Sequence, residues 1–315
     1  MLYKMAMLIR MGGRPLGEGI DTQMKIGFIG FGEAAYCISC GLREEGVTGI
    51  VAYDAFASRE LEGRRIHDRA SESGVGLLDN PADVASYADT LFVAVPSTNA
   101  LEVCEAIRAS LKAGQIYADV SASSPETKRR IWELIRDTGV LFVDAAMLGS
   151  LPQDRHRVPI TASGNGAEAF HEAMTPLGMR ITVVGGGSGA ASAIKLVRSI
   201  FMKGLASLMI EMLQAADAQG VTDDVVASLS GSLDGVPFRN HLSRLVTGTA
   251  LHAKRRADEL KGSIALLGEA RLDDAMTIAA KHKHELVAEY RFSEAYASGK
   301  PSGYGEIIER LKVKR

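Results

Sequence analysis

A glycine-rich turn between a strand pattern and a helix pattern constrains this chain more than any other feature. The apolar run Ile26-Gly27-Phe28-Ile29 leads into Gly30-Phe31-Gly32-Glu33-Ala34-Ala35, the G-x-G-x-x-A form of a dinucleotide fingerprint, and a helix pattern follows. A second apolar run ends at Asp54, 24 residues beyond Gly30. That order of strand, turn, helix, strand and acidic residue is the βαβ context the motif requires. Gly30 permits the tight turn and Gly32 admits a diphosphate. Ala35 lets the helix approach the sheet. The free N–H groups of Phe31, Glu33 and Ala34, at the positive end of the helix, favour an anion. Asp54 suits the hydroxyls of an adenosine ribose and repels a 2′-phosphate, which favours NAD over NADP; Arg59 softens that preference.

The pattern continues beyond this unit. Apolar runs at 25–29, 49–53, 74–78, 90–95, 115–120 and 141–145 alternate with helix-like stretches at 34–43, 58–71, 99–111 and 125–138, the signature of a parallel sheet covered on both faces. Short runs at 158–163 and 180–184 extend it. The fold class expected is α/β, a Rossmann-type doubly wound parallel sheet followed by an all-helical C-terminal domain. The run Gly185-Gly186-Gly187-Ser188-Gly189 marks the boundary. It gives a Rossmann dinucleotide-binding domain over 24–185 and a helical substrate and dimerisation domain over 186–315. The segment 190–219 is apolar on nearly every face, so burial on all sides is expected, in part against a second copy. Further helices are expected at 223–230, 237–245, 251–267, 272–299 and 304–312.

The amino-acid balance excludes several classes. Of 315 residues, 46% are hydrophobic and 23% charged, as in ordinary globular proteins, and a net charge of -2 provides no electrostatic footprint for nucleic acid or an anionic membrane. No apolar run reaches the roughly 18 residues of a membrane span. Three cysteines cannot close a disulfide framework, and Cys37-x-x-Cys40 falls inside a helix pattern, which favours a reducing, cytoplasmic setting. Residues 1–23 lack a continuous apolar stretch and read as a poorly ordered extension or a start-site artefact, with Met24 directly before the first strand. No metal-ligand spacing stands out. His282 and His284 lie two apart in a helix pattern and point to different faces, and the loop carrying Arg155, His156 and Arg157 reads as solvated.

Candidate site residues gather at the ends of strand patterns, where open α/β sheets bind ligands. Val95-Pro96 is one such end, read as a cofactor contact or a simple proline turn. Asp119-Val120-Ser121-Ala122-Ser123-Ser124-Pro125 is another, read as a helix cap or as a clamp for a carboxylate. Lys195 stands early in the long apolar helix. Its desolvated surroundings and the helix N-terminus lower a lysine's proton affinity and suit acid–base chemistry, unless the side chain reaches out to solvent.

Taken together, the G-F-I-G-F-G start, the D-x-S-x-x-x-P at 119–125, the D-A at 144–145 and the helix-borne Lys195 resemble the β-hydroxyacid dehydrogenases. That group includes 3-hydroxyisobutyrate dehydrogenase and is related to 6-phosphogluconate dehydrogenase. The resemblance spans about residues 24 to 290. It implies hydride transfer between NAD, or NADP, and the hydroxyl-bearing carbon of a small 3-hydroxy acid. Lys195 would be the general acid/base, and Ser121 would hold cofactor and substrate carboxylate. Ala122, Ser123, Gly149 and Ser199 would line the substrate site. The chain departs from the family at several positions. It has Ser121-Ala122 for Ser-Thr, Ala146-Met147-Leu148-Gly149-Ser150 for P-V-S-G-G, Ser199 for an asparagine, and Asp258-Glu259-Leu260 for K-D-L. A divergent subgroup is implied, active on a small molecule as a homodimer or higher homo-oligomer. Two other functions fit the scaffold: a sensor that binds NAD without turnover, and an imine reductase, against which Lys195 counts.

Overall fold

The computed structural model describes residues 24–312. The reading of residues 1–23 lies outside them. Contacts divide the chain into two compact units, one ending at Arg198 and one beginning at Ser199.

The first unit is built on eight strands: β1 Ile26–Ile29, β2 Ile50–Tyr53, β3 Gly76–Leu77, β4 Thr90–Val93, β5 Ile116–Asp119, β6 Leu141–Met147, β7 Ile160–Ser163 and β8 Ile181–Val183. Their order is β3-β2-β1-β4-β5-β6-β7-β8. The first six run parallel, β7 lies antiparallel to β6, and β8 runs parallel to β7. The doubly wound sheet expected from the sequence is therefore present, and both short runs extend it. Helices between the strands are α1 Glu33–Glu44, α2 Glu60–Ser73, α3 Pro81–Tyr87, α4 Ala100–Ile107, α5 Pro125–Ile135, α6 Leu151–Asp154 and α7 Ala167–Met174.

Side-chain alternation along the strands decides which helix each residue meets. Phe28 and Phe92 point to one face, with Ile38 of α1, Ile66 of α2 and Phe170 of α7. Their neighbours Ile29, Leu91 and Val93 point to the other, with Val84 of α3, Cys104 of α4 and Ile131 of α5. Phe28 and Phe92 stack at 5.0 Å between ring centroids, and Phe170 meets Phe92 edge-on at 5.6 Å. Each such buried side chain stabilises the unit by roughly 1.5–3 kcal/mol.

Sequence patterning missed α3 and α7. For α3 a signal was present: Asn80 accepts the N–H of Ala82 at 2.9 Å, and Pro81 opens the helix. Cys37 is buried and Cys40 half-buried on α1, both as free thiols.

The long helix α8, Ala190–Ala218, begins in the first unit. The second unit adds α9 Thr222–Leu233, α10 Phe238–Glu269, α11 Ala275–Ala288, α12 Phe292–Ala295 and α13 Tyr304–Lys312. The two helices expected at 237–245 and 251–267 form one helix, kinked at His252. The single helix expected at 272–299 instead stops at Ala288. Arg291 turns left-handed at φ 52°, and Phe292 enters a small core with Ala250 and Ile307. Burying that aromatic ring outweighs local helix propensity. Burial of α8 on all sides does not hold within one chain: Ile200 is 76% exposed and Ile210 60%. At about 44 Å, a 29-residue helix outruns the core a small domain can offer it. No helix among the described residues is long and apolar enough to cross a membrane.

Candidate functional site

Gly30 turns the chain out of β1 at φ 86°, and a side chain there would lie 2.6 Å from the Ala94 carbonyl oxygen. Only glycine fits. Gly32 faces open space, with no atom within 4 Å of where a Cβ would stand. It precedes α1 without any side-chain cap, so the first-turn N–H groups remain available to an anion. Asp54, just past β2, fixes this turn: its carboxylate accepts the N–H of Phe31 at 2.7 Å and that of Phe56 at 2.9 Å. Gly30, Gly32, Asp54, Val95 and Pro96 line one cavity of about 480 Å³. An open, uncapped helix N-terminus beside an acidic residue fits a dinucleotide. Phe31 is itself fully buried, and Glu33, Ala34 and Ser121 do not line that cavity.

A second cluster forms where β5 and β6 run side by side. Asp119 and Asp144 are register partners on these strands, and both are fully buried. Lys128, also fully buried, joins them: its Nζ lies 3.0 Å from Asp119 Oδ1 and 3.7 Å from Asp144 Oδ1. It also donates to the carbonyl oxygens of Asp119 and Ser121 at 2.8 and 3.0 Å. Sequence reasoning missed Lys128, because it opens a Lys-Arg-Arg run that reads as solvated. The available signal was spacing: Lys128, Ile131 and Ile135 make up the buried stripe of α5.

The hydroxyl run resolves into separate roles. Ser124 caps α5 by accepting the N–H of Thr127 at 3.1 Å. Ser121 and Ser123 are buried instead, 2.8 Å apart between hydroxyl oxygens, while Ala122 is exposed. Asp144 anchors the start of α8. Its carboxylate accepts the Ser192 hydroxyl at 2.6 Å and the Ser192 N–H at 2.9 Å. Ser163 supports the same turn by accepting the N–H of Ala191 at 3.0 Å. This anchoring fixes the helix turn that carries Lys195.

Lys195 is half-buried and makes no hydrogen bond or ion pair among the described residues. Burial lowers its proton affinity below the ordinary lysine value; the charge of Lys128 lowers it further, and Asp144 opposes both. Gly149 sits in the turn after β6 beside Asp154, Val158 and Pro159, none of them in the Ser121–Asp144 cluster. Arg155 and Arg157 pair with Glu44 and Glu45 at the far end of α1. Ser199 falls in the second unit. Asp258 and Glu259 form exposed ion pairs with Lys261 and Arg255.

Residues 25–186 match the NAD binding domain of 6-phosphogluconate dehydrogenase, and residues 216–287 match a domain of unknown function, DUF1932. The chain belongs to this NAD-binding family, as a divergent member of the β-hydroxyacid dehydrogenases. Mitochondrial 3-hydroxyisobutyrate dehydrogenase of Rattus norvegicus is 25% identical over 76% of this chain and 78% of its own. A solved conserved protein of unknown function, described as structurally similar to 3-hydroxyacid dehydrogenases, is 32% identical. It covers 86% of this chain and 99% of its own, with a TM-score of 0.58. An imine reductase from Pseudomonas sp. shares the fold, with a TM-score of 0.67 over 84% of this chain and 94% of its own, at 16% identity.

Proposed function

We propose that this protein is an NAD(P)-dependent oxidoreductase acting on the hydroxyl-bearing carbon of a small 3-hydroxy acid. One observation carries the reading: an unpaired, half-buried lysine stands on a helix turn that Ser192 ties to a buried aspartate. A lysine whose proton affinity is lowered by burial and a neighbouring cation is a better general base than an exposed one. In the oxidative direction Lys195 takes the proton from the substrate hydroxyl; in the reductive direction its ammonium returns it. The bound nicotinamide supplies the hydride chemistry. The Ser121 and Ser123 hydroxyls orient the substrate carboxylate.

NAD is the preferred cofactor in this reading, because Asp54 accepts hydrogen bonds from a ribose and repels a 2′-phosphate. The likeness to the rat 3-hydroxyisobutyrate dehydrogenase supports the reaction class. We further propose a homodimer. Ile200, Phe201, Met202, Ile210 and Phe238 are each at least 46% exposed, an apolar surface that a second copy would cover about a twofold axis.

The test is NAD and NADP reduction, read by absorbance, across a panel of small 3-hydroxy acids with a Lys195→Ala control. Turnover lost in the variant while NADH still binds supports the proposal. Tight NADH binding without turnover supports the sensor reading, and activity on cyclic imines supports an imine reductase.

A further inference from the structure

Two carboxylates placed opposite each other in a sheet interior repel, and neither can turn to water. Asp119 and Asp144 are such a pair, fully buried and in register on β5 and β6. Lys128 reaches them from α5 with its Nζ close to both, and its remaining contacts go to the Asp119 and Ser121 carbonyls and the Ser121 hydroxyl. No part of its side chain is exposed, so it has no route to a substrate. A buried lysine without access and with five oxygens around its Nζ serves another group.

That group is Lys195. Lys195 stands one helical turn beyond Ser192, which Asp144 holds through two hydrogen bonds; the charges of Lys128 and Asp144 act on it with opposite sign, and Asp119 is the ion-pair partner of Lys128. Two buried carboxylates carry two negative charges, and Lys128 cancels one of them. Asp144 is further occupied by Ser192 on both oxygens. Without Lys128, Lys195 would be the remaining cation for two unscreened carboxylates, and it would be drawn into a permanent ion pair. A lysine so held cannot give up its proton.

We propose that Lys128 is the internal counter-ion of this site, a positioning residue that occupies Asp119 and Asp144 and thereby leaves the Lys195 amine free to exchange a proton. The inference deepens the reading of Lys195 as the acid/base and rests on it. Lys128 also ties the Ser121 carbonyl to β5, so one buried charge organises both the hydroxyl pair and the base.

The experiment is a pH titration of Lys195 in the full-length protein by 13C NMR of labelled lysine side chains, with Lys195→Arg assigning the signal. It needs neither cofactor nor turnover. In Lys128→Met the Lys195 midpoint should rise by about one pH unit or more, as expected for a lost like charge. Should that variant fail to fold, Asp119→Asn tests the same coupling with the opposite sign: removing a carboxylate while Lys128 remains lowers the midpoint. The double variant Asp119→Asn/Lys128→Met removes one charge of each sign and should return the midpoint to near the wild-type value. A folded Lys128→Met with an unmoved midpoint, or an Asp119→Asn that raises it, overturns the proposal. Turnover retained in Lys195→Ala would instead overturn the functional reading, and the NMR coupling between the two lysines would stand by itself.

Discussion

Ser192 closes the start of α8 onto the sheet, giving its hydroxyl to one oxygen of Asp144 at 2.6 Å and its N–H to the other at 2.9 Å. Three residues later the same helix carries Lys195. The orientation of the lysine is thus set by a strand residue with which it makes no ion pair.

Replacing Ser192 by alanine should therefore act twice. Loss of a hydroxyl hydrogen bond to a buried carboxylate costs about 1.5–3 kcal/mol of stability. Trp132, the single tryptophan, lies on α5 in this unit, so its fluorescence in urea reports the loss directly. Turnover should fall further than stability explains, because the turn bearing Lys195 loosens. A Ser192→Ala protein with wild-type unfolding and turnover would remove Asp144 from the account of the site.

The ionisation of Lys195 should be visible in the rate. Burial and Lys128 both favour its neutral form, so its midpoint lies below the ordinary lysine value. Oxidation needs the free amine, and kcat/KM in that direction should rise with pH through this midpoint. Reduction needs the ammonium and should fall through it. Opposite limbs with a common midpoint are the expected result. Matching limbs in both directions would assign the titration to another group.

Much of this was legible in the chain before folding. Gly30, Gly32 and Asp54 line one cavity, and the strands lie close to the apolar runs of the sequence. Strands of a parallel sheet are buried on both faces and so read as near-continuous apolar runs, which is what made them visible in the sequence. Lys128 was not legible as a core residue, since charge normally signals solvent and its two partners lie 9 and 16 residues away on separate strands. The break at Arg291 was hidden for a similar reason. Local propensity favours one continuous helix there, and the burial of Phe292 against Ala250 and Ile307 is a non-local contact.

The exposed face of α8 gives a prediction about assembly. Ile200 is 76% exposed within one chain. Placing a carboxylate there, as in Ile200→Glu, should weaken self-association by roughly tenfold or more, because a buried unpaired charge opposes the interface. Sedimentation velocity across a concentration series would show the shift to monomer, while Trp132 fluorescence stays native. A variant that sediments as wild type would exclude this face as the interface.

Glu211 offers a separate test within the second unit. Its carboxylate meets the start of α11, accepting the Met276 N–H at 2.8 Å, the Thr277 N–H at 2.9 Å and the Thr277 hydroxyl at 2.6 Å. Burial alone would raise its proton affinity. The hydrogen bonds from Thr277 and from the two backbone N–H groups outweigh burial and hold it below the usual carboxylate value. A carboxyl group depressed in the folded state contributes stability that is present above its unfolded pKa and is lost as pH falls through the folded one. Wild-type protein should accordingly lose protection of the Met276 and Thr277 amides on acidification, read by hydrogen exchange. In Glu211→Gln one acceptor oxygen becomes an NH2 donor facing either the Met276 N–H or the Thr277 N–H, which should cost about 1–3 kcal/mol at neutral pH. That variant should also show a flatter acid limb, since the titrating group is gone. Equal protection and equal acid sensitivity in both proteins would mean that α11 is held by its apolar contacts and not by this carboxylate.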